Sequence, residues 1–391
     1  MLPVSVVKNA NIVIDPPVGE YCVVRDISSK QYFRLGYREA SFLQSLDGSV
    51  NLIELCAKNC SGFTAQEVEA MLAKFQEFRL TGADITSDPA GVIPSSRTRK
   101  IMQSIFKPGN IRFHLADPNI FLDKHIAAIH RLFSRTAISV YLLLIALPLI
   151  LLIAMPALLG SAALAIKSEF SALEWGGLYV AMLIVIALHE LAHAAACKHF
   201  GGAVHKIGVM LMYMQPVAYC DISDSWRFDT VEKKIATAFA GIFLQLVVSS
   251  IATVVWAATG YPILLYFAGI NAAVALLNFF PFIKLDGYWM LVHLLDEPNL
   301  RQKSINEVVF ATRLHGRTAK AIRPALLIFG IASILAAVLF AGLGLYTIHK
   351  YSTYVSEYFS MFVTSLFAVV LLARTVLFTR GLLRSTIQTR S

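Results

Sequence analysis

Charge is what this sequence has least of. Only 15% of its 391 residues are Asp, Glu, Lys or Arg while 57% are hydrophobic, and the mean hydropathy is +0.63. A soluble chain needs far less apolar content to fill its cores, so the balance excludes an ordinary soluble enzyme and predicts a multi-spanning membrane protein. Cysteine is scarce too. Cys22, Cys56, Cys60, Cys197 and Cys220 form no CxxC pair and are odd in number, which argues against a disulfide framework or a thiolate metal site and for reduced thiols. No basic stretch followed by a short apolar one opens the chain, so no cleavable signal peptide is expected, and the first membrane helix would serve as the insertion signal.

What is present centres on His189-Glu190-Leu191-Ala192-His193, inside an apolar run from Trp175 to Ala196. On a helix the two His, four residues apart, share a face, where both imidazoles can bind one Zn2+ while Glu190 handles the proton of an attacking water. That is protease chemistry placed in a membrane.

Residues 1–90 have the pattern of a small soluble α+β domain. Tyr21-Cys22-Val23-Val24 and Gln31-Tyr32-Phe33-Arg34-Leu35, separated by the polar turn Asp26 to Lys30, predict a β-hairpin. Three helical patterns follow, over about 37–46, 51–58 and from Thr64 to Gly82. In the third, Thr64 and Glu67 form a capping box, Phe63 and Val68 a hydrophobic staple, and Gly82 closes the helix. A hairpin on three helices is winged-helix-like. Eight Lys/Arg against eleven Asp/Glu give this segment a net charge of −3, which argues against nucleic acid as a partner. Over 20–82 the order hairpin, Leu43-Gln44-Ser45-Leu46-Asp47-Gly48, then Asn51-Leu52-Ile53-Glu54-Leu55 resembles the PqqD-like peptide recognition domain. The resemblance implies a leader peptide that adds as a strand to the hairpin edge. A segment that merely stabilises the enzyme is the plainer alternative.

Residues 91–135 carry eight Lys/Arg against two Asp, a basic cytoplasmic linker beside a membrane. Within it Asp117-Pro118 begins an expected interfacial helix. His114, His125 and His130 belong most simply to its solvated basic face. From 136 to 391 six apolar runs, 137–159, 176–197, 235–258, 262–281, 324–346 and 360–379, fit the bilayer at roughly 20 residues each. The loops alternate between nearly uncharged and Lys/Arg-rich, which places both termini in the cytoplasm of a cell such as a bacterium, the chain lying in its inner membrane.

That topology bears on the metal site. The second span runs inward, so His189 and His193 fall within about 12 Å of its cytoplasmic end at 1.5 Å per residue. The fourth runs the same way and stops at Pro281, which brings Asp286 to the same depth on the same side. A catalytic zinc takes three protein ligands, and ionisable groups at membrane depth are usually functional.

The HELAH run, with Asn278-Phe279-Phe280-Pro281 and Leu285-Asp286-Gly287 on a later span, resembles the site-2 protease family of intramembrane zinc metalloproteases over about 175–295. By that resemblance His189, His193 and Asp286 are zinc ligands, Glu190 is the general base and Asn278 holds substrate backbone. Gly287-Tyr288-Trp289, Pro216 to Asp221 and the PqqD-like segment are similar to its branch of peptide zinc metalloproteases. Two departures stand out: Ile283 occupies the place of a frequent second proline, and Ile242 follows Ala240-Gly241 where proline is common. Both leave the ligands intact.

The segment Val204 to Tyr219 offers either an edge strand for an extended substrate or a re-entrant loop. His199 and His205 are expected to be solvated, His293 and Asn271 to pack or bond between helices, Asp221 and Asp224 to cap a loop, and Ala240-Gly241 to allow close helix packing. The expected function is a zinc endopeptidase acting on a peptide or membrane-protein substrate, in maturation of a ribosomally made peptide. The alternative is a non-hydrolytic membrane component of a maturation or export complex with a structural metal site. Glu190 favours the first, since a structural site needs no base.

Overall fold

A computed structural model of the chain describes residues 7–29, 31–46, 63–82, 112–212, 215–313, 323–352 and 365. The N-terminal segment is built on a three-stranded antiparallel sheet of β2 (Ile12–Val18), β3 (Tyr21–Asp26) and β4 (Gln31–Gly36), in that order. The expected hairpin is β3–β4, with Val24 opposite Phe33 and Cys22 opposite Leu35. β2 was not legible, because Pro16 and Pro17 lie in it. Proline cannot donate to a ladder, and the strand is tolerated because it lies at the sheet edge with its register shifted between Ile14 and Pro17.

Helices α1 (Tyr37–Gln44) and α2 (Ala65–Glu77) cover one face of the sheet, and Val24, Phe42, Leu43, Leu72 and Phe75 form a closed core. The Thr64–Glu67 capping box is present with both reciprocal hydrogen bonds. The helix ends earlier than Gly82, however: Arg79 takes up the left-handed conformation (φ 57°), and Thr81–Gly82 form β5, paired with β1 (Val7–Lys8). The helix expected over 51–58 lies outside the described residues.

The other face of this sheet is docked rather than solvated. Tyr21 takes a hydrogen bond from buried Lys234 (2.9 Å), and Arg34 makes a bidentate pair with Asp296 (2.7 Å to each oxygen). Asp15, 8% exposed, joins Arg25 (2.7 Å) to Arg227 (2.9 Å), and Arg227 continues to Asp224 (3.0 Å). Burial, then the neighbouring Asp224 charge, pushes the Tyr32 hydroxyl well up, so it stays protonated and bonds that carboxylate. Asp15→Ala would strand two arginines that are each about a third exposed. A loosening on the order of 1–3 kcal/mol is expected, less than for a fully buried pair. Limited proteolysis should then release the N-terminal segment faster; unchanged protection would mean that the docking is held elsewhere.

The basic linker differs from expectation in two ways. Its end forms β6 (Arg112–Ala116), and its helix is broken at His125 into α3 (Asn119–Lys124) and α4 (Ile126–Leu132). β6 pairs with β7 (Ile207–Met212), which pairs with β8 (Gln215–Cys220), so the 204–219 segment is a hairpin in an antiparallel sheet, with β8 outermost. His130 and His199 are not simply solvated: their Nδ1 atoms lie 2.8 Å apart, and His199 stacks on Phe133.

The rest is helical: α5 (Arg135–Ala154), α6 (Ala157–Ala165), α7 (Ala172–His199), α8 (Val231–Thr259), α9 (Pro262–Asn278), α10 (Asp286–Leu295), α11 (Leu300–Arg313) and α12 (Pro324–Ser352). Among the described residues four helices are long and apolar enough to cross a membrane, over Arg135–Ala154, Ala172–His199, Val231–Thr259 and Pro324–Tyr346. The run 262–281 yields only α9, 17 residues long, because the chain leaves the helix at Phe279-Phe280-Pro281. The run 360–379 lies outside the described residues. α8 packs against α5, α7, α9 and α10, so whatever those helices carry inward meets on it.

Candidate metal centre

His189 and His193 project from the C-terminal half of α7, on one face as the i, i+4 spacing dictates, and are 5% and 3% exposed. Their Nε2 atoms lie 3.1 Å apart. Asp286 is the first residue of α10, delivered there by the turn after α9, and its Oδ2 lies 3.0 Å from His189 Nε2 and 3.3 Å from His193 Nε2. The three side chains form the one metal-capable cluster among the described residues, with all ligand atoms within 4.8 Å of one another.

The hydrogen bonds on the far side of each ring decide what the cluster can do. His193 Nδ1 faces the Thr237 carbonyl at 2.8 Å. A carbonyl only accepts, so Nδ1 carries the hydrogen and Nε2 presents a lone pair. His189 Nδ1 faces Gln245 Oε1 at 3.0 Å. That amide is oriented in turn, since Asn271 gives both its hydrogens to α8, to the Gln245 carbonyl (2.8 Å) and Ser249 Oγ (2.9 Å). Its Oδ1 is left to accept from Gln245 Nε2 (3.1 Å), which turns Gln245 Oε1 to His189. Both Nε2 atoms therefore bring lone pairs to a third acceptor, and Asp286 Oδ2 finds no hydrogen-bond donor. Three electron-rich atoms about 3 Å apart with no proton between them repel unless a cation joins them. Two imidazoles and a carboxylate are a donor set that would suit a catalytic Zn2+.

α8 makes room for the cluster at one residue. A Cβ on Gly241 would lie 2.5 Å from His193 Nε2 and 2.6 Å from His189 Nε2. The small pair Ala240-Gly241 thus does more than bring helices together.

Glu190 is half-buried on the same helix, and the backbone of Cys220, the last residue of β8, hydrogen-bonds its carboxylate. Asn278, at the end of α9, reaches Gln245 Oε1 with its amide at 3.3 Å. Asn271 bonds across helices, and His293 packs on Trp226 with ring centroids 4.5 Å apart. Asp221 accepts from Ser223, and Asp224 from the Ala203 N–H at 2.8 Å.

Sequence reasoning missed Gln245 and Thr237. Gln245 had a signal, being a lone amide in an apolar span with Asn271 on the next; the Thr237 carbonyl had none. Gln245→Leu removes the acceptor that fixes the His189 tautomer. Metal affinity should fall roughly 10- to 100-fold with the fold intact; an unchanged zinc titration would show that the amide does not orient the ring.

The model of Peptidase family M50 matches residues 177–264, a stretch that contains His189, Glu190, His193, Gly241 and Gln245. That family, the site-2 proteases, consists of zinc metalloproteases that act within membranes, and residues 177–264 are similar to it. Uncharacterized protein MJ0971 of Methanocaldococcus jannaschii is 39% identical over 72 residues, 18% of this chain. The chain covers 19% of that relative's length. No solved structure matches.

Proposed function

We propose that the chain is an intramembrane zinc metalloendopeptidase that cleaves a peptide or membrane-associated substrate close to the cytoplasmic face of a bacterial inner membrane, in the maturation of a ribosomally made peptide. The observation that carries this reading is the convergence of three lone-pair donors, His189 Nε2, His193 Nε2 and Asp286 Oδ2, beside a carboxylate that no ligand position requires. Zinc held there would supply Lewis acidity, acidifying a water and polarising the scissile carbonyl.

The chain's own residues do the rest. Gln245 and the Thr237 carbonyl keep both imidazoles in the ligating tautomer. Glu190 accepts the proton of the attacking water and returns it to the leaving amine. Asn278 holds substrate backbone from the side of α9. A substrate helix hides its amides in its own hydrogen bonds, so it must be locally unwound, and β8, outermost in its sheet and ending against Glu190, offers main-chain partners to the unwound segment. The N-terminal segment, with both termini of the chain cytoplasmic, takes the leader peptide through residues 20–82.

Purified protein should contain about one zinc per chain, lose it to a chelator, and cleave a short ribosomal precursor encoded beside its gene only when zinc is restored. Protein that holds zinc yet cleaves none of those precursors would overturn the reading.

A further inference from the structure

Two cavities lie where the N-terminal sheet meets the rest of the chain. One, about 500 Å³, is walled by Tyr32 and Arg34 on β4 and by Ser223, Trp226 and Asn299 opposite. The other, about 450 Å³, runs between Ser28 of the β3–β4 turn and Leu115, Asp117 and His205. Ser29 and Lys206 line both, so the two adjoin at those residues and together make a groove.

Three features of the groove point to its occupant. Its walls mix apolar side chains, Val23, Phe33 and Trp226, with the Gln31 and Asn299 amides, the Ser29 and Ser223 hydroxyls and the Tyr32 phenol, a mixture that suits a polypeptide, whose backbone is polar and whose side chains vary, better than an acyl chain. At its waist stands Lys206, half-buried, for which no ion pair with a carboxylate exists among the described residues; the other cation of the wall, Arg34, is already paired with Asp296. Third, the groove crosses the base of the β7–β8 hairpin. The Lys206 carbonyl accepts from the Asp221 N–H at 2.8 Å, Asp221 lines the groove, and the backbone of Cys220, one residue earlier, hydrogen-bonds Glu190.

We infer that this groove binds an extended polypeptide segment of the substrate, with an acidic side chain on Lys206, and leads it along β8 toward Glu190. The Ser28–Ser29 rim is held in shape from below: the Ser28 hydroxyl, then that of Ser29, bond Asp26 and draw its carboxyl down to about 2. The outer face of β3–β4 thus takes part in recognition together with the chain it docks on. The inference rests on the peptidase reading only for the destination of the segment; binding itself needs no hydrolysis.

The test uses the full-length Glu190→Gln chain in detergent. The probes are a fluorescein-labelled peptide of Ser, Thr and Val with one central Glu, and its counterpart with Lys. A photo-crosslinking residue at Ser29 should capture the Glu peptide, while the same residue at Tyr37, 60% exposed on the N-terminal segment, should not. In a chain unaltered at Ser29, Lys206→Glu should weaken binding of the Glu peptide about tenfold by anisotropy and reverse the preference toward the Lys peptide. Equal capture at both positions, no capture, indifference to Lys206→Glu, or capture of anionic phospholipid in place of peptide would each overturn the inference. None of these results depends on cleavage, so failure here leaves the peptidase reading standing, and a wild-type chain without activity leaves the groove result standing.

Discussion

Glu190→Gln is expected to keep zinc at the wild-type level and to lower peptide cleavage by roughly 10²- to 10⁴-fold, the usual worth of a positioned general base. The amide has the shape of the carboxylate but cannot take up a proton. Zinc retention follows from geometry: the ligand atoms come from His189, His193 and Asp286, whose positions are fixed by Thr237, Gln245 and the start of α10. Glu190 is engaged instead by the backbone of Cys220, and Gln offers that N–H the same acceptor. Metal analysis and single-turnover cleavage on one preparation decide the matter. If zinc and activity fall together, Glu190 is a structural group; if activity stays within a few-fold, the base lies elsewhere.

Gly241→Ala is expected to remove zinc almost entirely, and with it activity. Helix propensity alone predicts the opposite direction, since Ala is favoured over Gly by about 1 kcal/mol in a helix interior. Packing wins here because the added methyl would stand 2.5 Å from His189 Cε1 and His193 Nε2, against rings already held from behind by hydrogen bonds. Overpacking of this kind costs about 1–3 kcal/mol when the surroundings can shift. Either response, displaced imidazoles or separated helices, takes the Nε2 atoms off their common point. Gly269→Ala on α9 is the control, for nothing lies within 4 Å of a Cβ there, and it should leave zinc unchanged and thermal stability equal or slightly higher. Zinc at one per chain in Gly241→Ala would refute the geometry of the centre.

Much of this centre was legible from residue order because its logic is local. An offset of four residues between two histidines puts them on one face of any helix. The reach of Asp286 to the same depth followed from counting apolar runs and from the stop at Pro281. The Thr64–Glu67 box and the β3–β4 hairpin were equally plain, as both depend on neighbours a few positions apart. The span count was less secure, since 262–281 gives a helix of only 17 residues.

Other features could not be read that way. β6 pairs with a strand almost a hundred positions later, Arg112 facing Met210, and nothing in either short run names the other. The ties of Asp15 to Arg227 and of Arg34 to Asp296 link segments whose charges look like any solvated pair until the chains are docked. The same holds for the groove at Ser29 and Lys206, which exists only between two surfaces. By itself the sequence determined which residues can ligate a metal and that they lie in or beside apolar helices, because helix periodicity and hydropathy are properties of consecutive residues. Only the tertiary structure decided which nitrogen of each histidine faces inward, because that choice belongs to the Thr237 carbonyl and the Gln245 amide on another helix, and a lone pair has a direction only once its neighbours are in place.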